Sequence, residues 1–423
     1  MNEFGHLNRQ ANQQAIDRLL KVRPQLTAVG SAESVLGLKN HTVLHAGPPF
    51  LDILQLPKTV QSSIVLSALY EGWASSEQEA LTLLQDGHIE LKPAQDYRCV
   101  TPLAATITPK TTLVCVNDAQ SDLLACYSPL SSGVGADIRF GTNSSEVLST
   151  LAFRDTELNA LMNAALDTPI DLFHCAVLGL NGGDELHSST ARATQALGQE
   201  VLHRLQSCHA TSDQIRLIQE LMKSNPGFFL TPWMAACKLM LTSIENISNC
   251  SFVTRLGGNG ENMGLSIAHS PSLWFTQTVS APRGNRMGHA HPSVEVEGAV
   301  GDSCVIDAMG FGGQLTSLSP QVLQSLEEFL PQDYASRSAE IMFTEHNYFA
   351  SHLNTSDTHV ELHRAAKVRC GLDVLKITKQ KSNPLVNIAM LASDGINGLL
   401  GRGLYELDPL ICEKAVRHLL TQA

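Results

Sequence analysis

Hydrophobic positions along the chain alternate between helical spacing and short apolar runs. Ala15, Ile16, Leu19 and Leu20 recur at the interval that puts them on one face of a helix over 12–23, which Pro24 ends. Thr42-Val43-Leu44-His45-Ala46-Gly47-Pro48-Pro49 reads as a strand entering a Gly-Pro turn. Two helical patterns follow, 60–74 and 77–85, separated by Ser75-Ser76, either of which can cap the second with Glu79 close behind. Leu113-Val114-Cys115-Val116 and Leu123-Leu124-Ala125-Cys126-Tyr127 read as buried strands, and 145–166 as a helix. The apolar run 170–180, the break Asn181-Gly182-Gly183-Asp184-Glu185-Leu186-His187 and a helix over 190–205, capped by Ser188 or Ser189, predict a strand, loop and helix unit. Helices over 213–223 and 231–247 come next, with Phe228, Phe229, Trp233, Met234 and Met240 assigned to the core.

Glycine and acidic residues change the pattern after Val253. Gly257-Gly258-Asn259-Gly260-Glu261, Gly301-Asp302-Ser303 and Gly310-Phe311-Gly312-Gly313 fall within sixty residues, between short apolar stretches. Val253-Thr254-Arg255-Leu256 and Met263-Gly264-Leu265-Ser266-Ile267 read as strands, and Ser303-Cys304-Val305-Ile306-Asp307 as a third. Loops at strand ends with glycine at several stations let backbone N–H groups approach a ligand, and they serve equally as turns. Gly133-Val134-Gly135 to Gly141 is a comparable loop. The five loops are expected to converge on one cleft.

The fold class that follows is mixed α/β, of the α+β kind, with several domains, glycine-rich loops at strand ends and a small inserted helical module. The division is an N-terminal α/β segment over 1–56, the helical module over 57–97, an α/β domain with glycine loops over 98–250 and a β-rich α+β domain over 251–423. With 43% hydrophobic and 17% charged residues, such a chain can bury substantial cores. Its net charge of −12 argues against a nucleic-acid partner. Ten scattered cysteines without a CxxC pair suggest neither a zinc ribbon nor a disulfide framework, and fit a reducing cytoplasm. No signal peptide and no apolar run of membrane-spanning length is present, so no membrane partner is expected.

Asp184 and Glu185 stand beside His187 before a helix start that would otherwise invite an anion. They either stabilise the positive helix end or hold an amine, a magnesium ion or an arginine. His289-Ala290-His291 and His359-Val360-Glu361-Leu362-His363 do not form a metal signature, and no metal or cofactor is expected. No Walker A run, nucleophile elbow or dinucleotide fingerprint occurs. Lys376 to Lys381 is the one basic run and reads as a solvated hairpin end.

The order of motifs resembles the family typified by the AllG subunit of bacterial oxamate carbamoyltransferase, over nearly the whole chain. The resemblance rests on Ala11-Asn12-Gln13, Leu44 to Pro49, Glu71-Gly72-Trp73-Ala74, Arg139-Phe140-Gly141, Gly183 to His187, Phe228-Phe229-Leu230, Met234 to Lys238, Asn259-Gly260, Trp274-Phe275, Gly301-Asp302-Ser303 and Gly312-Gly313. It implies a cytoplasmic subunit of a multi-chain enzyme that exchanges a carbamoyl group between oxalurate and phosphate in purine (allantoin) catabolism. The chain departs from the family pattern in places. Leu56-Pro57-Lys58-Thr59-Val60 replaces Gly-Pro-Met-Arg-Gly, Ser131-Ser132 replaces Asn-Glu, Ser188-Ser189-Thr190 replaces Asn-Arg-Asn, and Asp307 replaces Glu. Two arginines are thereby lost, at Thr59 and Ser189, while Asp184, Glu185 and Asp302 would confront an anionic substrate.

Candidate catalytic residues are His187, Asp302 and Glu185. Candidate substrate-binding residues are Arg139, Gly183, Asp184, Arg255, Gly258, Asn259, Gly260, Ser303, Gly312 and Gly313, the arginines and loop N–H groups serving phosphate and a polarised carbonyl. Two readings stand: a divergent carbamoyltransferase subunit taking carbamoyl phosphate or a carbamoylated amide, and a non-catalytic scaffold that kept the fold. The retained motifs favour the first, the lost arginines the second. In both, the chain works in a hetero-complex or homo-oligomer.

Overall fold

The computed structural model describes residues 3–131, 135–288, 293–353 and 367–422. The His289 and His359/His363 segments, and Ser132 to Val134 of one glycine loop, lie outside the described residues.

The centre of the molecule is the helix Leu230–Thr242, whose side chains from Thr231 to Leu241 are all buried. A helix apolar on every face must be covered on every face. On one side lies the antiparallel sheet ordered Ser121–Pro129, Thr112–Asp118, Pro24–Ser31 and Ile170–Asp171. On another lies the sheet ordered Val300–Gly301, Val253–Asn259, Asn262–Ile267 and Ser270–Thr278. Phe228, Phe229, Trp233, Met234 and Met240 are all in this core. Lys238 is buried with them, its ammonium donating to Glu245 at 3.0 Å and to the Thr254 carbonyl at 3.3 Å.

Smaller units complete a mixed α+β architecture. The strands Thr42–His45 and Glu90–Pro93 pair in parallel. A parallel pair needs a crossover, and the helices Lys58–Glu71 and Glu77–Gln85 supply it, capped at the second helix by Ser76. The hairpin Leu385–Leu391/Leu399–Glu406 lies near the C-terminus. All ten cysteines are free thiols. Among the described residues no helix is long and apolar enough to cross a membrane.

Three expected elements differ. The apolar run 170–180 is not a strand: after a two-residue strand the chain enters the helix Leu172–Asn181, because the Asp171 carboxylate accepts the Phe173 N–H at 2.8 Å. Cys304–Ala308 is a short helix rather than a strand, buried on all sides and therefore without the periodicity that separates the two. The basic run belongs to the helix Val374–Gln380, capped by Asp373, where Lys376 reaches the Met342 carbonyl.

Asp302 ties these parts together. Its buried carboxylate accepts the Gly47 N–H at 2.9 Å, the Thr101 N–H at 3.1 Å and the Gln95 amide at 2.7 Å. Burial nevertheless pushes its pKa up to about 6, against these donors. The folded chain thus holds a proton that the unfolded chain releases in the intervening range. That contribution is complete below the ordinary aspartate value and is lost as pH rises through about 6. Asp302→Ala is expected to lower unfolding free energy by about 3–5 kcal/mol, since three donors lose their acceptor. Urea denaturation checks this, and the decline of stability with pH should be smaller in Asp302→Asn than in the parent chain.

Candidate functional site

Four buried carboxylates organise the region that follows the helix Leu172–Asn181. Asp184 accepts the Arg192 N–H at 2.8 Å, the Ala193 N–H at 3.0 Å and the Ser189 hydroxyl at 2.8 Å. It therefore caps the helix Ala191–Ser207 from a distance, in place of Ser188 or Ser189. Glu185 accepts the N–H groups of His187, Ser188 and Ser189 at 2.6, 2.6 and 3.0 Å, which folds this turn around its side chain. Asp307 accepts the Gly313 N–H at 2.7 Å and the Asn387 N–H at 3.1 Å. Its other oxygen accepts from Nδ1 of His187 at 2.8 Å. Asp302 is the fourth, at the other end of the short helix Cys304–Ala308.

The Asp307 contact defines the histidine. Donation from Nδ1 fixes one tautomer and leaves Nε2 as the nitrogen that can exchange a proton. Burial pushes the imidazole pKa down, but the Asp307 carboxylate and the nearby Glu185 outweigh it and hold His187 above its ordinary value. Burial also pushes Glu185 up to about 7, opposed by His187 and the backbone donors. Gly312 makes the close approach feasible: it sits at φ +57°, and a Cβ there would collide with the Asp307 carboxylate and come within 2.9 Å of the His187 Cβ.

His187 lines a cleft of about 520 Å³ together with Arg139, the Ser188-Ser189-Thr190 turn, Ser303 and Arg402. The two arginines differ in how far they are neutralised. Among the described residues the Arg402 guanidinium has neither a hydrogen bond nor an ion pair. Arg139 is ion-paired through Nε with Asp137 at 3.5 Å, although that buried Nε–H makes no hydrogen bond. Apolar residues make up much of the remaining wall, among them Pro102, Phe140, Leu230, Met287, Ile388 and Leu399.

The predicted site residues divide between this cleft and the scaffold behind it. His187, Arg139 and Ser303 line the cleft. Asp184, Glu185, Gly312 and Gly313 stand behind His187 and shape its turn, and Gly183 belongs to an adjoining hollow with Asp184 and Arg192. Asp302 is in the scaffold. Arg255 is paired with Asp96, and with Glu245 at 3.6 Å, over the Trp274 ring. Asn259 builds a hairpin, its amide oxygen accepting the N–H groups of Glu261 and Asn262. Gly258 and Gly260 admit backbone and proline instead of a ligand: a Cβ would meet the Ala299 carbonyl at the first and Pro57 at the second.

Loops 182–187 and 310–313 accordingly gather around Asp307 and loops 257–261 and 301–303 around Asp302, while Gly141 of the remaining loop packs on Thr59. Asp184, Glu185 and Asp302, the acidic residues expected to face a substrate, do not line this cleft. Thr59, one of the two positions without the family arginine, is fully buried against Gly141 and also away from it, whereas Ser189 lines it. Sequence reasoning missed Arg402, Asn387 and the partnership of Asp307 with His187.

The family model described as oxamate carbamoyltransferase subunit AllG matches residues 89–303, just over half of the 423 residues. The chain belongs to the AllG family. This AllG-family chain is 24% identical to the oxamate carbamoyltransferase subunit AllG of Escherichia coli (strain K12), over 97% of each chain. It is 26% identical to the uncharacterized protein YahG of the same organism, over 96% of this chain and 84% of that one. A crystal structure of a conserved protein of unknown function from Enterococcus faecalis V583 shares the fold, with a TM-score of 0.91 at 22% identity, covering 100% of this chain and 99% of the other.

The dyad of the AllG-family chain has a spectroscopic consequence. The His187 imidazole should titrate above 6.5 by NMR. In Asp307→Asn, where burial acts unopposed by that carboxylate, it should titrate below that value. A thermal melt confirms that the variant remains folded, and an unchanged titration would remove Asp307 from the role.

Proposed function

We propose that this chain is a ligand-binding and proton-transferring subunit of a carbamoyltransferase-type complex in the cytoplasm. The observation that carries the reading is the occurrence of two guanidinium groups in one cleft with His187: Arg402, which has no carboxylate partner among the described residues, and Arg139, which is paired with Asp137 alone. A chain of net charge −12 that leaves cations in a concave site is suited to an anionic ligand. The family membership supports carbamoyl transfer as the reaction.

The chemistry assigns each group a task. When phosphate attacks the carbamoyl carbon of a carbamoylated amide such as oxalurate, the carbon–nitrogen bond breaks and the departing amide nitrogen needs a proton. His187, protonated at Nε2, gives it; in the reverse direction the neutral imidazole takes it back. Arg139 and Arg402 hold the carboxylate and the phosphate, and the hydroxyl of Ser188 stands at the same wall to receive the carbonyl oxygen, those of Ser189 and Thr190 being engaged by Asp184 and the Pro226 carbonyl. Ser189 in place of the family arginine leaves one charged donor fewer, so a partner subunit completes the site.

The scaffold reading has one observation in its favour: Ser189 donates to Asp184, so that position serves the helix cap as well as the cleft. Calorimetry with oxalurate and with carbamoyl phosphate separates the two. Binding that weakens about tenfold or more in Arg402→Ala, and again in Arg139→Ala, supports the transferase reading, at ~1.5–3 kcal/mol per charge-assisted contact. No binding of either compound by the folded chain or by its native complex leaves the scaffold.

The pH dependence of the native complex is a further check. Phosphorolysis needs the imidazolium and should fall as pH rises through the elevated His187 value, while carbamoyl transfer from carbamoyl phosphate needs the neutral ring and should rise through it. The purified chain by itself is expected to release little or no carbamoyl phosphate from oxalurate; robust release would show that no partner is required.

A further inference from the structure

We infer that the carbamoylated substrate of this chain has an apolar body attached to its carboxylate, of the size of a leucine or phenylalanine side chain. The inference rests on the carbamoyl-transfer reading of the cleft and specifies the substrate class. Oxamate and oxalurate are small and polar on nearly every atom. The cleft is neither small nor polar. Its volume of about 520 Å³ falls in the range of ~300–1,000 Å³ in which pockets hold ligands of drug size. Leu230 comes from the central helix, Ile388 and Leu399 from the C-terminal hairpin, Phe140 from the turn after Arg139, and Pro102 from the loop facing Ser303.

The rim supplies a second observation. Met287 lines the cleft yet is 52% exposed, held by its N–H on the Leu400 carbonyl at 2.8 Å. An exposed, unbranched thioether at the mouth of an apolar wall adapts to ligands of differing shape. A ligand polar throughout would leave this wall facing water and place its own polar groups against hydrocarbon, which costs binding. A ligand with a carboxylate for the arginines, a carbamoyl nitrogen for His187 and an apolar side chain uses the whole lining. The class is that of an N-carbamoyl amino acid with a branched aliphatic or aromatic side chain. Its carbamoyl group would leave to phosphate with breakage of the same carbon–nitrogen bond, and His187 would return a proton to the released amine.

The test is calorimetric titration of the native complex and of the purified chain with N-carbamoyl-leucine, N-carbamoylglycine, oxalurate and leucine. N-carbamoyl-leucine is expected to bind about tenfold to a hundredfold more tightly than N-carbamoylglycine, the gain from burying one such side chain. Leu399→Ala should reduce that ratio by weakening N-carbamoyl-leucine more than N-carbamoylglycine, and Met287→Ala, at a half-exposed site, should do the same to a smaller degree. Equal binding of the leucine and glycine compounds, or tightest binding of oxalurate, overturns the apolar body and leaves carbamoyl recognition standing. Leucine binding as tightly as its carbamoyl derivative supports the apolar pocket and overturns carbamoyl recognition. Absence of binding by all four compounds overturns both.

Discussion

A carboxylate withdrawn from water must be given donors, and that requirement shapes the working part of this molecule. Asp184, Glu185, Asp302 and Asp307 are each buried and each gather backbone N–H groups, the first two from the turn and helix that follow them and the last two from segments distant in sequence. Unmet, a buried charge costs several kcal/mol; met by N–H groups, it fixes where loops that carry no regular structure must run. Asp302 and Asp307 stand at the two ends of one short buried helix and so join the sheet of Val253–Asn259 to the C-terminal hairpin. The consequence for the cleft is one of charge. The acidic residues are turned inward to hold backbone, and the cations Arg139 and Arg402 are left at the surface of the hollow.

The helices were largely legible because their signals are local. Glu77–Gln85 and the helix Ser212–Ser224 announce themselves by cap residue and apolar spacing, and the capping box at Thr211 and Gln214 completes the second. The short helix Cys304–Ala308 and the helix Leu172–Asn181 were not legible from periodicity, since burial on several faces erases the difference between helix and strand. Asp171 was the available signal for the latter, as a cap before an apolar run.

The site was legible by half. A histidine beside two acids drew attention to His187, but its actual partner is Asp307, 120 residues further on, and no local pattern specifies such a pairing. Arg402 occupies an ordinary position in a strand, and only the tertiary arrangement takes it into the cleft. Glycines were the misleading signal. Gly258 and Gly312 are required by the close approach of protein to protein, which leaves in the sequence the same mark as the approach of protein to ligand. Family membership, not geometry, suggests the carbamoyl group of the proposed function, while the proposed apolar substrate rests on the wall around Leu230 and Leu399.

The most direct test of the account is a crystal structure of the chain with N-carbamoyl-leucine bound. The account predicts the ligand carboxylate on Arg402 or Arg139, the carbamoyl nitrogen within hydrogen-bond reach of Nε2 of His187, and the side chain against Leu230 and Leu399. A ligand seated elsewhere, or a cleft that stays empty at saturating concentration while the ligand demonstrably binds in solution, would contradict it.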